Sequence, residues 1–102
     1  MSDGLHTDEF LAGYVAEAQD HLATARRALL QAEDALRRGQ GAPRATRELF
    51  RALHTLKGLS GMIGVEPVVD LAHAMEAIVR AADRAGGRLA PDALDALVKG
   101  TA

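Results

Sequence analysis

Residues 50–64 read Phe50-Arg-Ala-Leu-His54-Thr-Leu-Lys57-Gly58-Leu-Ser-Gly61-Met-Ile-Gly64. In a helix, residues three and four apart are neighbours on one face. His54 then has Lys57 and Gly58 beside it, and Gly61 one turn further on. Interior glycine costs a helix about 0.5–1 kcal/mol relative to alanine. Two such losses next to one histidine imply that something must approach it closely. Leu49, Leu53 and Leu56, with Phe50 to one side, make the buried stripe of this helix. Arg47, Arg51, His54, Lys57 (or Gly58) and Gly61 fall on a different face. The imidazole is therefore expected at solvent or at a groove edge. Ser60, Gly61 and Gly64 are expected to loosen the helix end, and Met62, Ile63 and Val65 to plug the space before the next helix.

Upstream, Leu11, Val15, Ala18, Leu22, Ala25, Leu29, Ala32 and Leu36 alternate at steps of four and three. That heptad seam predicts one long helix, capped by Thr7 or Asp8 and preceded by a frayed tail that includes His6. His21 lies at the edge of the seam. Gly39, Gly41 and Pro43 end the pattern and favour a hairpin into a bundle over a free coiled coil. Downstream, Pro67 suits the first turn of a third helix. Val68, Leu71, Ala72, Met75, Ile78, Val79 and Ala82 give its apolar side, and Val69, His73, Glu76, Arg80 and Asp83 give another. Gly86-Gly87 stops it. Ala90-Pro91-Asp92 opens a short fourth helix carrying Leu94, Leu97 and Val98. No strand pattern or repeat is present. The predicted fold is an all-α, antiparallel up-down four-helix bundle, one domain with helices at about 8–38, 44–61, 67–85 and 91–100.

The 102 residues include 21 alanines and three aromatics, so the core must form by close approach of helices and not by large rings. There is no cysteine, which excludes a disulfide framework or thiolate metal site and fits a reducing compartment. A net charge of −2 argues against a nucleic-acid footprint. No stretch reaches the roughly 18–20 apolar residues of a membrane span, and no signal peptide is visible. The expectation is a soluble cytoplasmic domain. Ten of the twelve cationic residues are arginine, so a lysine at position 57 carries some information: a compact ammonium suits a different task from a guanidinium fork.

His54-Thr55-Leu56-Lys57-Gly58, followed by Gly61 and Gly64 and then by His73-Ala74-Met75-Glu76, resembles the signature of histidine phosphotransfer (HPt) domains. Within that family the likeness is to the phosphotransfer domains of CheA-type chemotaxis histidine kinases, and it runs from about Asp8 to Lys99. A neutral imidazole, with an unperturbed pKa near 6.5, offers a lone pair on one ring nitrogen without a general base. The resemblance implies that His54 is the phosphorylated residue, that Glu76 accepts a hydrogen bond and orients it, and that His73 joins the same network. Lys57 would offset the phosphoryl charge, about −1.5 to −2 for a phosphate monoester. Gly58 and Gly61 would make room for a partner, and Arg47 and Arg51 would guide its acidic pocket. The chain has no nucleotide-binding glycine loop and no acidic triad for Mg²⁺. ATP and Mg²⁺ would come from a histidine kinase catalytic domain, and the acceptor aspartate from a CheY-like receiver domain. The fourth helix is shorter than is usual in the family. The chain thus reads as a domain of a larger histidine kinase or an unusually short version, monomeric on its own.

Three rival readings differ in chemistry. His54, His73 and Glu76 could form a three-ligand zinc site, but Lys57 would repel the ion, and the paired Glu-x-x-His motifs of di-metal bundles are lacking. A helical adaptor without chemistry is permitted by the long seam. A helix-turn-helix DNA reader over Leu49–Ile78 lacks positive charge and a recognition helix rich in Arg, Asn or Gln.

Overall fold

A computed structural model describes the backbone of residues 2–102 and the side chains from Glu9 onward. It contains four α-helices, α1 (Ser2–Arg37), α2 (Pro43–Ile63), α3 (Glu66–Arg84) and α4 (Pro91–Thr101), and no strand among the described residues. Each packs on its neighbour in sequence, and α4 closes back on α1, which makes an all-α up-down bundle. The core is built from small and branched residues. Leu49, Leu53, Val79 and Leu97 are fully enclosed, and Ala25, Ala28, Ala32, Ala45, Ala52, Ala72 and Ala82 let the helix backbones come close. Where α4 meets α3, a Cβ on Gly100 would lie 2.6 Å from the Met75 sulfur, so the contact there depends on glycine. The body measures 57 × 19 × 19 Å, with α1 as its shaft.

Two loops meet at one end of the bundle. The Ala42 N–H donates to the Gly87 carbonyl at 2.9 Å. Gly87 has φ +80°, and a Cβ on it would run into the backbone of Ala42 and Pro43. The glycine pair that sequence marks as a helix stop therefore also makes this loop contact. At the other end, Gly64 caps α2 in the left-handed region, with φ 83°. The Val65 N–H reaches the Ser60 carbonyl at 2.9 Å and the Gly64 N–H the Gly61 carbonyl at 3.2 Å, the Schellman pattern that satisfies the last carbonyls of a helix.

Several expectations need correction. The helix α1 begins at Ser2 instead of near position 8, so Thr7 and Asp8 do not cap its start. Ser2 and Asp3 are themselves residue types that favour a helix N-terminus. The side chains of His6, Thr7 and Asp8 lie outside the described residues. The heptad seam is buried only in its second half. Ala25, Leu29 and Ala32 are enclosed, but Leu11 and Val15 are 44% and 49% exposed. Helix α4 spans only 11 residues, about 16 Å, and its last turn meets α1 at Arg26, whose Nε and Nη2 donate to the Thr101 carbonyl at 2.9 and 2.6 Å. The second half of the seam therefore has a partner that Leu11 and Val15 lack. Leu71 and Val98 are likewise exposed.

The end of α2 is also firmer than its glycines suggest. It stays helical through Ile63, and Ser60 is fully buried, sharing a 2.8 Å hydrogen bond with the Tyr14 hydroxyl of α1. Because the register continues, Met62 is rotated about 180° from Leu53. It is 81% exposed and plugs nothing.

Candidate functional site

Helices α2 and α3 pack side by side, and their shared flank carries the site. His54 projects from the middle of α2 with its side chain 63% exposed. Glu76 projects from α3 and is 1% exposed. A buried carboxylate requires partners, and Glu76 has two. Its Oε2 is 3.2 Å from His54 Nδ1, and its Oε1 is 2.9 Å from Lys57 Nζ. The Lys57 contact is an ion pair, so charge compensates Oε1.

Burial pushes the Glu76 carboxyl up, but hydrogen bonding and charge from Lys57 and His54 outweigh it and hold the group below the usual glutamate range. At neutral pH Glu76 is therefore ionised and can only accept hydrogen bonds. That fixes the tautomer of its neighbour. His54 Nδ1 carries the proton and donates it to Oε2, which leaves the lone pair on Nε2. The arrangement yields an exposed nitrogen nucleophile whose other nitrogen is anchored to a buried anion.

Lys57 and His54 both lie on the same side of α2, three residues apart, so one carboxylate on α3 can reach both. Glu76 was legible as a partner of His54, but its depth was not. It falls on the same face of α3 as His73, Arg80 and Asp83, all of which are exposed. Lys57, 27% exposed, is ion-paired with Glu76. His73 is exposed, and among the described residues it makes no hydrogen bond or ion pair with His54 or Glu76. The i,i+3 step from His73 to Glu76 spans the boundary between the solvent and buried sides of α3. Among the described residues no group of three or more His, Asp or Glu side chains is placed to hold a metal ion together.

Gly58 and Gly61 are exposed. A Cβ on Gly58 would meet nothing within 4 Å, and one on Gly61 only a Val69 methyl at 3.9 Å. The fold itself does not need either glycine. Arg47 lies 3.6 Å from Asp83, an exposed pair of little energetic weight that offsets some of its charge. Arg51 is exposed on the same flank. An open groove of about 390 Å³ beside the histidine is lined by Arg47, Phe50, Arg51, His54, Arg80 and Asp83. Three members of that group, Phe50, Arg80 and Asp83, were not singled out from sequence as site residues. Phe50 stacks on His54, with ring centroids 5.9 Å apart and planes 11° from parallel. The Arg80 guanidinium lies over the Phe50 ring, 5.2 Å from its centroid. The four-residue step from Phe50 to His54 was a visible signal for the first contact.

Fold and site together define a helical bundle that presents one oriented histidine on its flank. The chain belongs to the Hpt domain family, whose model matches residues 9–101, and its role is histidine phosphotransfer in two-component signalling. It is similar to the chemotaxis protein CheA of Halobacterium salinarum, with 33% identity over 93 residues, 91% of this chain and 13% of that protein. It is also similar to the chemotaxis protein CheA of Listeria monocytogenes and to that of Listeria innocua, each with 38% identity over 73 residues, 72% of this chain and 11% of theirs. The chain thus spans about one eighth of the length of these curated relatives. No solved structure matches it.

Proposed function

We propose that His54 is the phosphoacceptor and that the domain relays phosphoryl groups within a CheA-like chemotaxis signalling protein. The observation that carries this reading is the exposed imidazole whose Nδ1 is held by buried, ionised Glu76. In the forward step the Nε2 lone pair attacks the γ-phosphorus of ATP. The N–P bond forms as the P–O bond to ADP breaks, and the electron pair leaves with ADP. Positive charge grows on the ring and is stabilised through Nδ1–H by Glu76. In the return step an aspartate of a CheY-like receiver domain takes the phosphoryl group and the imidazole recovers its lone pair.

Phosphoryl transfer depends on positioning and on neutralising charge. ATP and Mg²⁺ come from the kinase domain, and the receiver brings its own Mg²⁺. Lys57 keeps Glu76 ionised at depth and supplies positive charge one turn from the acceptor. Gly58 and Gly61 leave the flank bare for the partner's active site, and Arg47 and Arg51 steer an acidic pocket towards it. The domain works as a monomer in the cytoplasm, with ATP binding and catalysis residing in other domains of the parent kinase.

The test is phosphoryl uptake from radiolabelled ATP with an active CheA-type kinase core. Wild-type chain gains label that is labile in acid and stable in base, and His54→Gln gains none. Glu76→Ala slows uptake roughly tenfold or more, the scale seen when the carboxylate that orients a metal-ligating histidine is removed. Wild-type chain that stays unlabelled beside a cognate, active kinase rules the reading out.

A further inference from the structure

We propose that Phe50, steadied by Arg80, is a positioning residue for phosphoryl transfer at His54. This rests on His54 being the acceptor. The lone pair of an imidazole nitrogen lies in the ring plane, so the direction of attack is set by the orientation of that plane. The bond to Glu76 fixes one point of the ring, Nδ1, at 3.2 Å. It leaves the ring free to swing about that point, and an imidazole 63% exposed has few other neighbours to stop it. Phe50 supplies the second constraint. Its ring lies within 11° of parallel to the imidazole, with centroids 5.9 Å apart, an offset stack. One contact in the ring plane and one on its face together define where Nε2 points.

Phe50 is itself held. It packs on the core cluster from a half-buried position, and the Arg80 guanidinium on α3 lies over its ring at 5.2 Å. The stack therefore ties the acceptor on α2 to α3 by a path separate from Glu76. A phenylalanine serving only as core filler would not need a face parallel to the imidazole. A docking arginine would not need to cover an aromatic ring. In-line attack is sensitive to misalignment, and displacement of a reacting atom by about 1 Å can cost on the order of a hundredfold in rate. Loss of a face constraint, with Nδ1 still anchored, should cost less than that.

The experiment compares wild-type chain with Phe50→Leu, Phe50→Tyr and Arg80→Gln. Steady-state uptake is measured with a CheA-type kinase core, Mg²⁺ and ATP, and ¹H–¹⁵N spectra of the His54 ring are recorded on the same samples. Phe50→Leu keeps apolar bulk and loses the aromatic face. It is expected to lower kcat about 5- to 20-fold with KM for the domain changed less than about twofold. The ring-current shift of the His54 carbon-bound protons disappears, and Nδ1 stays protonated. Phe50→Tyr restores both the shift and most of the rate, which a loss of packing alone would not predict.

Unchanged kcat in a folded Phe50→Leu chain, a change in KM alone, or failure of Phe50→Tyr to recover the rate overturns the proposal. If Phe50→Leu does not fold, Arg80→Gln decides, since Arg80 is exposed. A weaker ring-current shift with a kcat lowered about two- to fivefold supports the stack, and no change in either refutes it. Absence of uptake by wild-type chain brings down the phosphoacceptor reading and this one with it. Normal uptake with an insensitive Phe50 removes only the positioning role.

Discussion

Replacing Gly58 by alanine should make the domain more stable and less able to exchange phosphoryl groups. Gly58 lies inside α2, without the positive φ that would require glycine, and a Cβ there meets nothing within 4 Å. The substitution therefore gains the helix about 0.5–1 kcal/mol with no opposing clash. For a domain of this size, 1 kcal/mol shifts the melting temperature by roughly 4–8 °C, so a rise of about 2–8 °C is expected in thermal melts followed by circular dichroism. Position 58 is one turn beyond His54 on the same side of the helix, where the new methyl group faces an incoming active site. Productive transfer needs the reacting atoms about 3–3.5 Å apart, and a misplacement near 1 Å costs on the order of a hundredfold. Transfer from the kinase and onward to a receiver should fall by roughly 10- to 100-fold, measured with labelled ATP on the same protein. A lower melting temperature would show that the packing around Gly58 has been misread. A higher melting temperature with transfer kept within about twofold of wild type would refute the idea that the bare strip serves partner approach.

Gly87→Ala makes the opposite prediction. With φ +80° and the Pro43 backbone in the way, it should cost more than the roughly 1 kcal/mol of a simple glycine effect and lower the melting temperature, while a domain that stays folded keeps its phosphoryl uptake. Glu76 should impose a pH dependence on stability. Its carboxyl titrates lower in the folded chain than in the unfolded one, so the unfolded state binds the proton more readily. The stabilisation is fully present above the ordinary glutamate range near pH 4.3 and is lost as pH falls through the lowered folded value. Urea titrations between neutral pH and pH 3 should show a fall in stability that is shallower in Glu76→Gln. Identical pH profiles for the two chains would contradict this.

Helix content, bundle class and the exposure of His54 were legible because each leaves a periodic mark. The Leu49–Leu53–Leu56 stripe is enclosed, and the family that the residues around His54 suggested is the one whose model matches residues 9–101. What sequence could not show was depth. Glu76 and His73 are three residues apart on one helix, yet the first is buried and ion-paired while the second faces solvent, because the packing angle of α3 on α2 decides between them. Val15 and Leu29 are equivalent in the heptad, but only Leu29 is enclosed, since a seam does not record how far its partners extend. Met62 shows the same limit. Its glycine neighbours suggested a broken helix, and the Schellman close at Gly64 preserved the register that turns it outward. The Phe50 stack was half visible, as a four-residue step, and Arg80 entered it only through the pairing of two helices.

The 57 × 19 × 19 Å body is three times as long as it is wide, and His54 stands on its side, not at its tip. A rod in solution spins about its long axis faster than it tumbles end over end. Each such turn sweeps the imidazole through every azimuth while its height along the shaft hardly changes. Orientation is what usually slows the docking of two specific patches. For this domain one of the angles to be matched is sampled by the faster of its two rotations, and end-over-end tumbling has only to set the tilt of the shaft.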